Sequence, residues 1–225
     1  MANKKRVNVQ GHSLKRMSYR KFTLQKVVEV FDLKTVISDT FFDGVEPVRP
    51  SSLLSETLEE TIPLALAIGT EKARSELVVM PILVEIRKAA GRKISIFSGT
   101  EFNVDASLGL KGFCDFLISG SEEQYVLRSP VISVVEAKKG EIDLGMGQCS
   151  AEMIAARIFN ERGQKPVPQI YGAVTTGSAW KFLRLREKTL FIQADETPIE
   201  HIDRILGIFL KMIDSETGHG GRQTD

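Results

Sequence analysis

Residues 131–141 read VISVVEAKKGE and place charged side chains directly after an apolar run. The β-branched residues of this run and its period of two predict a strand. Residues two apart share one face of a strand, so Glu136 and Lys138 are expected to project together, on the side of Ile132 and Val134. A buried strand that ends in two ionisable side chains needs an explanation, because each buried charge requires a partner.

A second acid lies upstream, in the apolar segment 112–119 (GFCDFLIS), where Asp115 is predicted to lie on another strand. If Asp115 and Glu136 lie side by side, a hard divalent cation best relieves their repulsion. A lysine beside that ion could hydrogen-bond an attacking water and offset the charge on a phosphate. The alternative is a solvated strand end at which Glu136 and Lys138 form a weak surface ion pair.

The segment 140–163 (GEIDLGMGQCSAEMIAARIFNERG) is predicted to be a helix that follows this strand. Gln148 and Glu152 are four residues apart and share one helical face with Gly145. A polar face with small residues suits a helix that leans over a metal and a phosphate backbone, and a solvent-facing side is the alternative. Glu76, in a helix predicted over 70–91, is a further acid, unless it is an exposed first-turn residue favoured by the helix dipole.

The order of the predicted elements gives the fold class. Helices come first, a series of strands follows, then a strand–helix–strand unit and a terminal helix, which indicates an α/β protein with a mixed sheet flanked by helices. Helices are predicted over 23–33, 51–69, 70–91, 140–163 and 198–215, and strands over 93–99, 101–107, 112–119, 123–128, 131–138, 168–177, 180–186 and 189–193.

Three regions are expected along the chain. Residues 1–69 form an N-terminal helical extension that begins with a basic arm, 1–21, carrying seven Lys and Arg residues and no acid. Residues 70–215 form the main domain, and residues 216–225 form a disordered tail. The extension is long enough for a few helices or for a surface that binds a protein partner.

Composition excludes several classes of protein. The net charge of +1 over 225 residues gives no overall field that attracts nucleic acid, so such binding would need a local patch. The two cysteines and three scattered histidines show no disulfide or metal-ligand spacing. No apolar run has the length of a membrane span and no signal peptide is evident, which predicts a cytoplasmic protein without a membrane partner.

Asp115 in GFCDFLIS and the Glu136-Ala137-Lys138 triplet in VVEAKK resemble the signature of the PD-(D/E)xK nuclease superfamily, which has the restriction-endonuclease-like fold. The likeness is closest to the N-terminal nuclease domain of type I restriction enzyme R subunits and its stand-alone relatives. It extends from about residue 71 to residue 191 and includes the segment 170–185 (IYGAVTTGSAWKFLRL) with Trp180.

The chain departs from the family pattern at two positions. Cys114 stands where the named signature has a proline, and Glu152 stands where related RecB-type nucleases have a tyrosine. The chain also contains no helicase motif and no GxxxxGK[ST] phosphate loop, so it does not match a whole restriction motor subunit.

The resemblance implies a Mg²⁺- or Mn²⁺-dependent nuclease. The catalytic set that it implies is Asp115, Glu136, Lys138, Gln148 and Glu76. Asp115 and Glu136 would bind the metal together with the backbone carbonyl of Ala137, and Lys138 would orient and activate water. Gln148 would align the site or contact the phosphate, and Glu76 would support the site or a second metal.

DNA is the expected partner, and hydrolysis of its phosphodiester bonds in bacterial defence or DNA processing is the expected function. The alternative is a catalytically silent, nuclease-like module that binds nucleic acid or a protein. A homodimer would suit cleavage of both strands of a duplex, because it would supply two sites.

Overall fold

A mixed β-sheet with helices on both faces organises the described chain. The structure is a computed structural model that describes residues 14–38 and 40–217. Most of the predicted basic arm and nearly all of the predicted tail therefore lie outside the described residues. The α/β class predicted from the sequence is confirmed.

The helices begin and end close to the predicted positions. Thr23 and Thr70, the first residues of two predicted helices, are N-caps, and their side chains accept hydrogen bonds from backbone N–H groups. The helices are α1 (Leu24–Phe31), α2 (Ser52–Ile68), α3 (an α-turn Glu71–Arg74, a π-helical segment Ser75–Val79 and an α-helix Met80–Ala89), α4 (Ile142–Arg162) and α5 (Ile202–Thr217).

Eight strands within the described residues form one sheet in the order β1-β7-β6-β5-β4-β3-β2, with β8 paired to β6. The pairs β1/β7 and β4/β5 are parallel, and the other pairs are antiparallel. The strands are β1 (Lys34–Ile37), β2 (Ser95–Glu101), β3 (Phe113–Ser119), β4 (Val131–Ala137), β5 (Gln169–Thr175), β6 (Ala179–Arg186), β7 (Thr189–Ile192) and β8 (Thr197–Pro198).

Strand β4 lies inside the sheet and is buried along its whole length. It runs antiparallel to β3 and parallel to β5, to which it connects through α4. A core with residues from α2, α3 and α5 covers one face of the sheet, and a second core with residues from α1 and α4 covers the other. The charged residues that end β4 are therefore at the end of a central strand.

A π-helical segment interrupts α3 just before Pro81. Proline has no N–H to donate to the carbonyl four residues earlier, which is that of Leu77. The hydroxyl of Thr61 on α2 donates to this carbonyl instead, at 2.6 Å. The interruption separates the first turn of α3 from the rest of the helix.

The predicted side-chain alternation of β4 is partly wrong. Val134 faces the α4 side and Val135 and Ala137 face the other side, as expected, but Ile132 packs in the core opposite to α4. The pairing of β3 with β4 shifts register near Ile118 and Ser119, and this irregularity reverses the alternation at the start of β4.

Two predicted strands are absent from the described chain. In segment 101–107, Asp105 caps a short 3₁₀ helix (Ala106–Leu108). In segment 123–128, the side-chain amide of Gln124 bonds both backbone groups of Ile96, so this segment meets the edge strand β2 through a side chain.

The two ends of the chain also differ from expectation. The region predicted as a helical extension contains α1 and α2, but it also supplies β1, which pairs with β7. Helix α5 continues to Thr217, so the first two residues of the predicted tail are helical.

Candidate active site

Strands β3 and β4 stop pairing through their backbones just before the charged residues. Phe116 and Val135 are the last paired residues, and beyond them the N–H of Ala137 donates to Oδ2 of Asp115 at 2.9 Å. A side-chain carboxylate thus replaces the backbone acceptor that a continued ladder would supply. This contact holds the half-buried Asp115 beside the end of β4.

Glu136 and Lys138 share one side at the end of β4, as predicted. Nζ of Lys138 lies 2.5 Å from Oε1 of Glu136, and their side chains are 16% and 2% exposed, respectively. The backbone N–H of Lys138 donates to the carbonyl of Thr175 at 2.8 Å, so the parallel pairing with β5 fixes this residue. The pair is therefore not a solvated surface ion pair.

Helix α4 covers the pair at close range. A Cβ atom on Gly145 would lie 2.5 Å from Cγ1 of Val174 and 3.0 Å from Cγ of Lys138, so only glycine fits without displacement. Gln148, one turn later, accepts a hydrogen bond through Oε1 from Nζ of Lys138 at 3.1 Å. Nε2 of Gln148 donates to Oε1 of Glu152 at 3.0 Å, and Glu152 is fully buried.

The charges in this cluster are not balanced. Burial raises the pKa of Glu136 well above its usual value, and the carboxyls of Glu152 and Asp115 add to the rise. Burial also raises the pKa of Glu152, to about 8. Burial disfavours the ammonium of Lys138, but the nearby carboxyl of Glu136 favours it more strongly. The pKa of Lys138 is therefore raised, and Glu71 and Asp115 contribute to the rise. Three carboxyls therefore share one ammonium in this cluster, and an added cation would favour their ionised forms.

Two carboxyl oxygens in the cluster have no hydrogen-bond partner. Oε2 of Glu136 and Oε2 of Glu152 are buried, and no group in the described residues bonds them. Within residues 14–38 and 40–217, no group of three or more His, Cys, Asp or Glu side chains is placed to hold a metal. Mg²⁺ commonly uses only one or two carboxylates and keeps several waters, so Asp115 and Glu136 fit its requirements.

The structure brings together five of the predicted residues and leaves one apart. The five are Asp115, Glu136, Ala137, Lys138 and Gln148. Glu76 pairs with Lys72 at 2.7 Å on the surface of α3, with their side chains 59% and 80% exposed. The acid of α3 that acts on Lys138 is Glu71, which lies before the π-helical segment.

Two neighbours of the site could not be identified from sequence patterns. Arg74, on the first turn of α3, donates through Nη1 to the carbonyl of Thr176 in the turn after β5. The hydroxyl of Tyr19 donates to the carbonyl of Phe102 at 2.6 Å, and burial, Cys114 and Glu152 together raise its pKa. Both residues reach the site only because distant segments of the chain pack together.

Trp180, which carries part of the family resemblance, is a core residue in this structure. It is fully buried and packs against the rings of Phe182 and Phe209, on the face of the sheet opposite to α4. Its place in the motif is therefore explained by packing.

Comparison of the chain with family models, with curated proteins and with solved structures finds no match. None of the helices in the two described ranges combines the length and hydrophobicity that crossing a bilayer requires.

Proposed function

We propose that this protein is a metal-dependent nuclease that hydrolyses DNA phosphodiester bonds and has the restriction-endonuclease-like fold. The observation that carries the proposal is the meeting of Asp115, Glu136 and Lys138 where β3 and β4 separate. Two acids and a lysine from adjacent strands, mostly shielded from water, are the groups that metal-assisted phosphodiester hydrolysis uses.

The cation would be held by the carboxylates of Asp115 and Glu136 and by the backbone carbonyl of Ala137. Support comes from the unpartnered Oε2 of Glu136 and from the raised pKa of this carboxyl, which a divalent cation would lower by favouring the ionised form. Bound Mg²⁺ or Mn²⁺ supplies a Lewis acid that polarises the phosphate and lowers the pKa of a coordinated water.

Lys138 would act as a hydrogen-bond donor. Glu136 raises the pKa of Lys138, so the side chain is an ammonium at neutral pH. Glu136 and Gln148 accept two of its three N–H groups, and the third can orient the attacking water or contact a phosphate oxygen. Gln148 holds this ammonium from the side of α4. A donor fixed in advance loses little free energy in reorganisation when charge develops on the phosphate.

Two further cations near the same end of the sheet would contact the DNA backbone. Lys139 directly follows Lys138 and is exposed, and Arg74 is bound to the turn after β5. With a net charge of +1 for the chain, binding would depend on this local group rather than on an overall field. Affinity should therefore fall steeply as salt concentration rises.

The proposal is tested by cleavage of plasmid, linear duplex, single-stranded DNA and RNA with Mg²⁺ or Mn²⁺. The wild type is compared with Lys138→Met and with Lys211→Ala, an exposed lysine on α5. We expect metal-dependent DNA cleavage that is lost in Lys138→Met, by about 10³-fold or more, and retained in Lys211→Ala.

Each other outcome has a defined meaning. Equal cleavage by the wild type and Lys138→Met would identify a contaminant and remove the support for this site. Cleavage of RNA but not of DNA would change the substrate class. No cleavage by folded protein with either metal would favour the catalytically silent binding module.

A further inference from the structure

Gln148 connects the buried Glu152 to the partly buried Lys138, which do not hydrogen-bond each other. Its Oε1 accepts from Nζ of Lys138 at 3.1 Å, and its Nε2 donates to Oε1 of Glu152 at 3.0 Å. Lys138 in turn contacts Glu136 at 2.5 Å. The four side chains therefore form a continuous chain of hydrogen bonds that runs from Glu152 on α4 to Glu136 at the end of β4.

The polarity of the Gln148 amide determines what this chain can do. An ammonium group only donates hydrogen bonds, so it requires the oxygen of the amide. The NH₂ group must then point the other way, and it needs an acceptor there. Glu152 supplies this acceptor, and without it the buried NH₂ would have no partner, so only the contact with Lys138 would hold the amide in this orientation.

Glu152 is itself held firmly. It is fully buried on α4, beside the thiol of Cys114 on β3. The helix cannot shift easily at this point, because a Cβ on Gly147 would lie 2.3 Å from the carbonyl oxygen of Phe22. Glu152 therefore presents its Oε1 to Gln148 from a fixed position.

We propose that Glu152 is a positioning residue, which holds the Gln148 amide with its oxygen toward Lys138 and thereby fixes the lysine ammonium beside Glu136. The catalytic consequence of this arrangement rests on the proposed nuclease function. The arrangement of the four side chains can be tested without it.

The first test observes the Lys138 ammonium directly, in ¹H–¹⁵N spectra of protein labelled with ¹⁵N at lysine Nζ. The signal is assigned by its absence in Lys138→Arg. Glu152→Met and Gln148→Met remove the acceptor and the amide at similar side-chain length, and we expect both to shift the Lys138 signal in the same direction. Glu152→Gln, which keeps an acceptor oxygen, should leave it closer to the wild-type position.

The variant Glu152→Asp serves as a second test in case the Glu152→Met protein does not fold. It keeps the carboxyl but shortens its reach by one methylene, so the Lys138 signal is expected to move part of the way. A signal at the wild-type position in both Glu152→Asp and Glu152→Met, while Gln148→Met shifts it, would overturn the proposal. The substitution Glu161→Gln, at an exposed position on α4, controls for general effects on the helix.

The second test uses cleavage, if the wild type cleaves DNA. We expect Glu152→Met and Gln148→Met each to lower kcat by about 10- to 100-fold, with KM little changed. The double variant should lose no more than the larger single loss, because both changes break one chain of contacts. Additive losses would show that Glu152 acts independently of Gln148 and would overturn the proposal.

The two tests separate the failure of this proposal from the failure of the proposed function. A wild type without nuclease activity leaves the spectroscopic result valid, since the position of Lys138 does not depend on turnover. Mn²⁺ binding provides a further check: the proposed ligands Asp115 and Glu136 are intact in Glu152→Met, so this variant should still bind Mn²⁺. Loss of Mn²⁺ binding in this variant would assign Glu152 to the metal site and overturn a positioning role.

Discussion

Helix α4 meets strand β4 through buried polar side chains at both ends, and the two ends differ in how completely these groups are hydrogen-bonded. At the start of β4, Asn160 donates through Nδ2 to the carbonyl of Val131 at 2.8 Å and accepts from its N–H at 2.7 Å. At the other end of β4, Glu136 and Glu152 each keep one buried oxygen without a partner among the described residues.

The difference separates a structural polar contact from a site prepared for a ligand. The Asn160 contact is neutral and reciprocal, so it stabilises the fold and leaves no capacity for anything else. An unpaired buried carboxyl oxygen costs free energy, and such costs concentrate where a function requires them. We therefore infer that the polar contact at the start of β4 stabilises the fold, and that the polar groups at the end of β4 serve catalysis or ligand binding.

The strongest predicted effect is a fall in stability with rising pH, for which the buried carboxyls of Glu136 and Glu152 are the main cause. Burial raises the pKa of Glu152 to about 8 in the folded protein, against about 4.3 in an unfolded chain. Between these values the folded state holds a proton that the unfolded state has released. The contribution of Glu152 to stability is therefore fully present below about pH 4.3 and is lost as the pH rises toward 8, by at most about 5 kcal/mol.

Urea unfolding of the metal-free protein at several pH values from 5 to 8 measures this decline. Glu136, whose pKa is also raised, changes stability in the same direction. Glu152→Gln does not titrate at this position, so its stability should fall less over the same range. If the free energies of unfolding of the wild type and Glu152→Gln changed in parallel with pH, Glu152 would be ionised in the folded protein over this range. The proposed difference between the two ends of β4 would then be wrong.

One substitution at each end of the α4–β4 interface compares the effects of the two ends on stability and on cleavage. Asn160→Leu leaves both backbone groups of Val131 unpaired, so we expect a loss of about 2–4 kcal/mol in the free energy of unfolding. Gln148→Met should cost about 1 kcal/mol, because Lys138 keeps Glu136 as a partner. Cleavage should respond in the opposite order, with the larger loss in Gln148→Met.

Chemical denaturation and initial cleavage rates, measured on the same preparations, give both quantities. If Asn160→Leu lost activity in folded protein as strongly as Gln148→Met, the division between a stabilising end and a chemical end would be wrong.

A glycine substitution tests whether α4 constrains Lys138 at the C-terminal end of β4. In Gly145→Ala the new Cβ would lie 2.5 Å from Val174 and 3.0 Å from Lys138, so either α4 or the lysine must move. We expect a net loss of about 1–2 kcal/mol, since overpacking outweighs the gain in helix propensity, and reduced cleavage. Gly140→Ala is the matched control, because nothing lies within 4 Å of its Cβ. Equal behaviour of the two variants would show that α4 does not constrain Lys138.

The sequence predicted those contacts that depend on local periodicity. Glu136 and Lys138 meet because the period of two holds at the end of β4, and Gln148 and Glu152 meet because they are four apart on one helix. The contact of Asp115 with Ala137 could not be derived in this way. It depends on where β3 and β4 stop pairing, which is a property of two strands together.

Other parts of the fold escaped prediction for the same reason. Strand β1 is four residues long and mostly exposed, so its sequence carries little pattern and its pairing with β7 is decided by the tertiary structure. Tyr19 approaches Glu152 and Cys114 only because the N-terminal segment packs on α4. Sequence periodicity thus predicts single elements well and the contacts between distant elements poorly.

The smallest predicted effect is that of a substitution at Glu76. This substitution tests the expectation that Glu76 belongs to the catalytic site. Its partner Lys72 and Glu76 itself are both exposed, and surface pairs of this kind contribute little. Glu76→Gln should therefore change the free energy of unfolding by less than about 0.5 kcal/mol and leave cleavage close to that of the wild type. Glu71→Gln is the matched variant, and it should lower the pKa of Lys138 by removing a nearby negative charge. A loss of cleavage in Glu76→Gln as severe as in Asp115→Asn would mean that α3 rearranges when DNA binds, because the present position of Glu76 cannot account for such a loss.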